Sequence, residues 1–140
     1  KFFMAENKLQ LNKKATIIKF FKRINKIKNI ITNFLKNEKH KGKTIHCYGA
    51  STKGNVLLQY FKLDNKIIDY AAERNPKKYN LFTPGTKIKI ISEKKSRGIL
   101  PNYYLVLPWH FKKEILKREK QMLKKGSKFI FPLPNMSISS

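Results

Sequence analysis

The 140-residue chain carries 32 basic and 8 acidic residues, a net charge of +24, and a single cysteine, Cys47. That length suits one domain with an appended arm, long enough to bury a core without staples. A lone cysteine excludes an internal disulfide and fits a reducing, cytoplasmic setting, and no apolar run reaches the ~20 residues of a membrane span.

The opening "KFFMAENK" lacks the apolar core of a signal peptide. It does not begin with Met, so the chain is expected to be a fragment of a longer protein. The charge would ordinarily suggest nucleic acid or an anionic membrane. All but four of the basic residues (Arg23, Arg74, Arg97 and Arg118) are lysine, however, and Asn and Ile are abundant. AT-rich codons produce that mixture, whereas nucleic-acid readers lean on arginine forks. The charge is therefore read as compositional, and neither a nucleic-acid nor a membrane partner is expected.

Residues 8–37 contain neither glycine nor proline. Ile17, Phe20, Ile24, Ile27, Ile31 and Phe34 recur at steps of three and four, one apolar stripe on a long amphipathic helix. Packing on its own domain or on a neighbour is preferred to a membrane surface, since the stripe has no tryptophan anchor. His40 and Lys41 suit the negative end of its dipole, and Gly42 ends it. Residues 1–41 thus form a helical lead-in.

After Gly42 the pattern alternates. Strands are expected at 44–48, 66–72, 87–91, 103–109 and 128–134, with helices at 55–61 and 110–126. The fold class is α/β: a Rossmann-like open parallel sheet of about five strands with flanking helices, over 42–134. Residues 135–140, "NMSISS", are expected to fray.

The turn after the first strand reads "YGASTKGN", Tyr48 to Asn55. Backbone N–H groups at a helix start favour an anion there. Gly49, Ala50 and Gly54 let the backbone approach, Ser51 and Thr52 offer hydroxyls, and Lys53 a charge. Yet the spacing is neither G-x-x-x-x-G-K-[ST] nor G-x-G-x-x-G, because Asn55 follows Gly54 and Ser51 stands where a glycine belongs. A glycine turn that binds nothing is the competing reading. Glu73 ends the second strand about twenty residues on, where dinucleotide folds place an acid for ribose hydroxyls, with Arg74 and Asn75 beside it. The fourth strand ends at Pro108, Trp109 and His110. His46 and Cys47 lie within a strand with no partners at metal-ligand spacing, so no metal site is expected.

In order, "YGASTKGN", "AERNPKKYNLFTPGT", "LVLPWHFKKEI" and "GSKFIFPLP" resemble the C-terminal domain of the S-adenosylmethionine (SAM)-dependent sugar C-methyltransferases, over residues 41–134. The resemblance implies a longer enzyme. A zinc-binding segment comes first, then a SAM domain carrying the acid/base residues, then the part present here, which helps hold a nucleotide-linked sugar. It implies that Tyr48, Gly49, Ala50, Ser51, Thr52, Lys53, Gly54 and Asn55 form the substrate-facing turn, holding the pyrophosphate. Glu73, Arg74 and Asn75, the Pro84–Gly85 turn, and Trp109 with His110 join them. Glu73 stands where aspartate is more usual, and His110 where asparagine is. No catalytic residue is expected in this chain, which alone should be inactive. SAM is expected on the missing domain, in cis or in trans.

Two rival classes remain: a Rossmann-type nicotinamide-dependent oxidoreductase, opposed by Ser51, and a basic nucleic-acid-binding module, supported by charge alone.

Overall fold

Helix α1 (Lys14–His40) is uninterrupted because nothing in it breaks a helix. The structure, a computed structural model, describes residues 9–10 and 13–140. The expected helix start at residue 8, and residues 1–8, 11 and 12 of the lead-in, lie outside the described residues. Gly42 turns the chain away at φ +75°, its N–H bonding Lys39 O at 2.9 Å. Only the second half of α1 is seated. Ile27, Ile31, Leu35 and Glu38 are buried, and Phe34 meets Tyr103 edge-on at 5.4 Å. Ile17 and Phe20, on the expected stripe, stay 47% and 49% exposed.

The remaining elements are β1 (Ile45–Tyr48), α2 (Thr52–Phe61), β2 (Tyr70–Glu73), β3 (Ile90–Ser92), α3 (Glu93–Ile99), β4 (Tyr103–Val106), α4 (Lys112–Arg118), α5 (Lys120–Lys124), β5 (Lys128–Phe131) and β6 (Ser137–Ser139). The six strands form one sheet in the order β3-β2-β1-β4-β5-β6. The first five are parallel. β6 runs antiparallel to β5, with Ile138 opposite Ile130. The α/β fold with a leading helix is as expected, but the sheet is mixed. The tail expected to fray supplies its edge strand instead.

Apolar side chains cover both faces, as a sheet sandwiched by helices requires. Ile45, Cys47, Leu105 and Leu107 pack with Ile31, Leu35 and Leu58 on the α1–α2 face. Tyr48, Tyr104, Val106 and Phe129 pack with Ile115 and Met122 on the other. Each fully buried Leu or Ile contributes roughly 1.5–3 kcal/mol.

Local chemistry shifts several boundaries. β2 starts at Tyr70 because Asp64 holds a turn before it, its carboxylate accepting from Lys66 N at 2.9 Å. β3 starts at Ile90, after Lys87 adopts φ +54°. α2 starts three residues early because Ser51 Oγ caps Gly54 N at 3.1 Å. α3 was not expected, and Ser92 caps it the same way through Lys95 N. The helix expected over 110–126 is split at Glu119, with a 3-10 turn (Trp109–Phe111) before it.

Strand order reverses between β1 and β4, where Tyr48 pairs with Val106. In open sheets of this order the crevice beyond that reversal is where ligands sit.

Candidate functional site

The turn after β1 is shaped by Gly49 at φ +85°, in the left-handed region that favours glycine. Gly49 N–H donates to Ala72 O at 2.8 Å. A β-carbon there would also lie 3.3 Å from Pro108 Cδ, so the turn hugs the end of β4. The amides of Ser51, Thr52 and Lys53 then open α2 without a protein acceptor among the described residues. They form the positive end of that helix.

Beside the turn lies a cleft of about 460 Å³. Tyr48, Gly49, Ala50 and Ser51 form its floor and one end, and Glu73 and Arg74 its β2 side. Phe111 and Arg118 line the side of the 3-10 turn and α4.

Glu73 is already committed within the fold. One oxygen accepts from Arg74 N (2.7 Å) and Asn75 N (3.1 Å). The other accepts from Ala50 N (3.1 Å) and faces Lys78 Nζ at 3.4 Å. Burial pushes the carboxyl up, but these backbone donors and Lys78 outweigh it and hold the acid below its ordinary value. Lys78 also donates to Ala50 O at 3.0 Å. The expected ribose acceptor is thus a tie between two loops. The guanidinium of Arg74 has no acceptor among the described residues, which leaves it as an unneutralised cation on the cleft.

An ion network that sequence reasoning did not find supports the floor. Tyr48 OH donates to Glu119 Oε1 at 2.7 Å, and Arg118 Nη2 donates to Tyr48 OH. Arg97 reaches Glu119 through Nε (3.0 Å) and Nη2 (2.5 Å), and Glu93 through Nη2 at 2.8 Å. Arg118 Nη2 also reaches Glu93 at 2.8 Å. Glu119 is only 2% exposed. Burial raises its carboxyl, but the bonds from Arg97 and Tyr48 and the two guanidinium charges hold it ionised. "KKEILKREK" reads as a solvated, charged helix face. The available signal was Glu119 standing one residue past Arg118, where the helical stripe of Ile115 and Met122 turns inward.

The other expected residues are placed as follows. Thr52 and Lys53 are exposed on the first turn of α2, and Lys53 lines a neighbouring groove with Ile24, Tyr60 and Trp109. Gly54 lies beneath, against Leu107. Asn55 sits in α2 with Oδ1 buried and unpartnered among the described residues. Asn75 caps the 3-10 turn Pro76–Lys78. Pro84 and Gly85 lie before β3 and do not line the cleft, and Pro84 O accepts from Gln59 Nε2 at 3.0 Å. Trp109 is half-buried against the core and His110 is exposed. The structure therefore gathers Tyr48, Gly49, Ala50, Ser51, Glu73 and Arg74 around one cleft, and the rest line other surfaces or pack. His46 is buried away from the cleft. Its Nδ1 lies 2.8 Å from Ser96 Oγ, and burial lowers its pKa to about 4.

The model of the family described as the C-methyltransferase C-terminal domain matches residues 1–134. The chain belongs to that family. A C-methyltransferase, NovU of Streptomyces niveus, is 37% identical to it over 99 residues, which are 71% of this chain and 24% of that protein. The chain thus spans about a quarter of the length of this curated relative. Membership in the C-methyltransferase family agrees with the order of motifs in the sequence. Among the described residues no helix is long and apolar enough to cross a membrane, and no three His, Cys, Asp or Glu side chains form a metal cluster.

Proposed function

We propose that this domain is the substrate-binding part of a SAM-dependent C-methyltransferase that acts on a nucleotide-linked sugar. The observation that carries the proposal is a pair of unsatisfied positive features on one cleft: the Ser51 amide at the start of α2 and the Arg74 guanidinium. Backbone amides at a helix start and a guanidinium fork both suit phosphate oxygens. A pyrophosphate at the turn of residues 48–55 satisfies both.

Glu73, the acid at the β2 end, already accepts from backbone amides through both oxygens. Methyl transfer to carbon requires a base and a placed donor. This reading puts both in the rest of the enzyme, in cis or in trans, in the cytoplasm. It makes this chain inactive alone.

The test is calorimetric titration of the complete enzyme with a thymidine or uridine diphosphate-sugar. Arg74→Ala should weaken binding about tenfold, the loss expected for one charge-assisted contact. Unchanged affinity in that variant, or no binding to the unaltered enzyme, would overturn the proposal.

A further inference from the structure

Arg118 faces Arg74 across the cleft, and the two differ in electrostatic state. Arg74 has no ion-pair partner for its guanidinium among the described residues. Arg118 is held by Glu93 at 2.8 Å, Glu119 at 3.3 Å and the Tyr48 hydroxyl. Its guanidinium also lies over the Tyr48 ring, 5.3 Å from the centroid. Those contacts use Nε and Nη2. The two N–H groups of Nη1 have no acceptor among the described residues, on a side chain 38% exposed at the cleft wall.

Two carboxylates, Glu93 and Glu119, balance two guanidiniums, Arg97 and Arg118. The cluster as a whole carries no net charge, so it has little long-range pull on a phosphate. What it offers is a rigid donor fork, fixed from beneath by a Glu119 carboxylate that is almost fully buried. Such a fork suits a neutral oxygen acceptor, a carbonyl or hydroxyl, where direction counts more than charge.

Position identifies which part of the ligand it meets. In sheets of this order the nucleoside half lies toward the end of β2, and the diphosphate at the start of the first helix. Whatever is attached beyond the diphosphate then extends over β4 and the helix after it. Arg118 is on that side, as the last residue of α4.

We infer that Arg118, held by Glu93, Glu119 and Tyr48, contacts an oxygen of the sugar, and that the sugar lies over β4 and α4 with the nucleoside over β2. The inference rests on the nucleotide-sugar reading above. It adds a substrate-contacting residue and an orientation. Arg74 reads the diphosphate, common to every nucleoside diphosphate. Arg118 reads the sugar, and with it the specificity of the domain.

The experiment compares two ligands on the complete enzyme: a nucleoside diphosphate-sugar and the same nucleoside diphosphate without the sugar. Calorimetry is run on the unaltered protein, Arg118→Lys and Arg74→Ala, with melting curves for each. Arg118→Lys keeps the charge and loses the fork, so it is the variant that preserves the network best. Glu93→Gln, which loosens Arg118 without removing it, is the second variant should the first melt early. Arg118→Lys should weaken the sugar-bearing ligand about tenfold and leave the bare diphosphate unchanged. Glu93→Gln should follow the same pattern at smaller amplitude. Arg74→Ala should weaken both ligands equally. Equal losses on both ligands in the Arg118 variant would mean that it reads the nucleotide, and overturn the inference. No loss on either ligand would overturn it too. Binding of neither ligand to the unaltered enzyme would overturn the nucleotide-sugar reading, and this inference with it.

Discussion

A β-carbon placed on Gly54 would lie 2.7 Å from both Cβ and Cδ1 of Leu107. Gly54 is therefore needed for the packing of α2 on the end of β4, not for the approach of a ligand. Its backbone is helical, so conformational freedom is not the reason. Gly54→Ala should destabilise the fold by about 1–3 kcal/mol, the usual cost of overpacking, measured by urea unfolding. A variant as stable as the unaltered protein would show that Leu107 can step aside.

His46 makes stability depend on pH. Its pKa falls from an ordinary 6.5 to about 4 in the fold, chiefly by burial. Between those values the unfolded chain binds a proton that the folded one refuses. Stability is then full above pH 6.5 and declines as pH falls toward 4, by on the order of 3 kcal/mol. His46→Asn keeps a polar partner for Ser96 and removes the titration. Urea unfolding at several pH values should show a shallower acid slope in that variant, since the carboxylates titrate alike in both proteins. Equal slopes would exclude His46 as the cause.

Removing the carboxylate of Glu119 leaves Tyr48 without its acceptor and Arg97 and Arg118 sharing Glu93 alone. Fully buried pairs lose roughly 3–5 kcal/mol when one partner goes. The two arginines are 36% and 38% exposed, so water compensates in part. Glu119→Ala should cost about 2 kcal/mol or somewhat more, and Glu119→Gln less. A melting temperature unmoved by Glu119→Ala would show the network to be ornamental to stability.

Lys53 and Arg74 both flank the turn, but only Arg74 lines the cleft. Arg74→Ala should therefore weaken nucleotide-sugar binding more than Lys53→Ala. Neither should shift the melting temperature, since both side chains are exposed. A larger loss with Lys53→Ala would move the phosphate to the groove beside Tyr60.

Periodicity made most of the fold legible. The apolar strands and the glycines at 42, 49 and 126 mark turns that the structure places close by. What stayed hidden depended on partners distant in sequence. The three-residue β6 has too short a pattern to read, and exists because Ile138 finds Ile130. Glu73 was visible as an acid at the right distance from the turn. That its lone pairs are spent on Ala50, Arg74 and Asn75 amides depends on loop geometry that no spacing rule encodes. Pro84–Gly85 stood in the right motif order, yet it comes before β3 of a parallel sheet, away from the crevice at the strands' carboxyl ends. The Glu119 network joins residues from β1, α3 and α4, and a charged stretch of lysines conceals the buried Glu119.

The cleft straddles the boundary between strands that are far apart along the chain. Thr44, just before β1, bonds Asn102, just before β4, across a separation of 58 residues. Closing so long a loop is a late, entropically costly event in folding. A chain that has paired only β1, β2 and β3 possesses the glycine turn and Arg74 but no opposite wall. Ligand binding thus monitors completion of the whole sheet. Conversely, a ligand spanning the crevice acts as a removable cross-link between the two halves. It raises the free energy of any opening that parts β1 from β4, in proportion to the logarithm of its concentration over its dissociation constant. Amides in β4 and β5 should gain hydrogen-exchange protection on saturation, although most of them never touch the ligand.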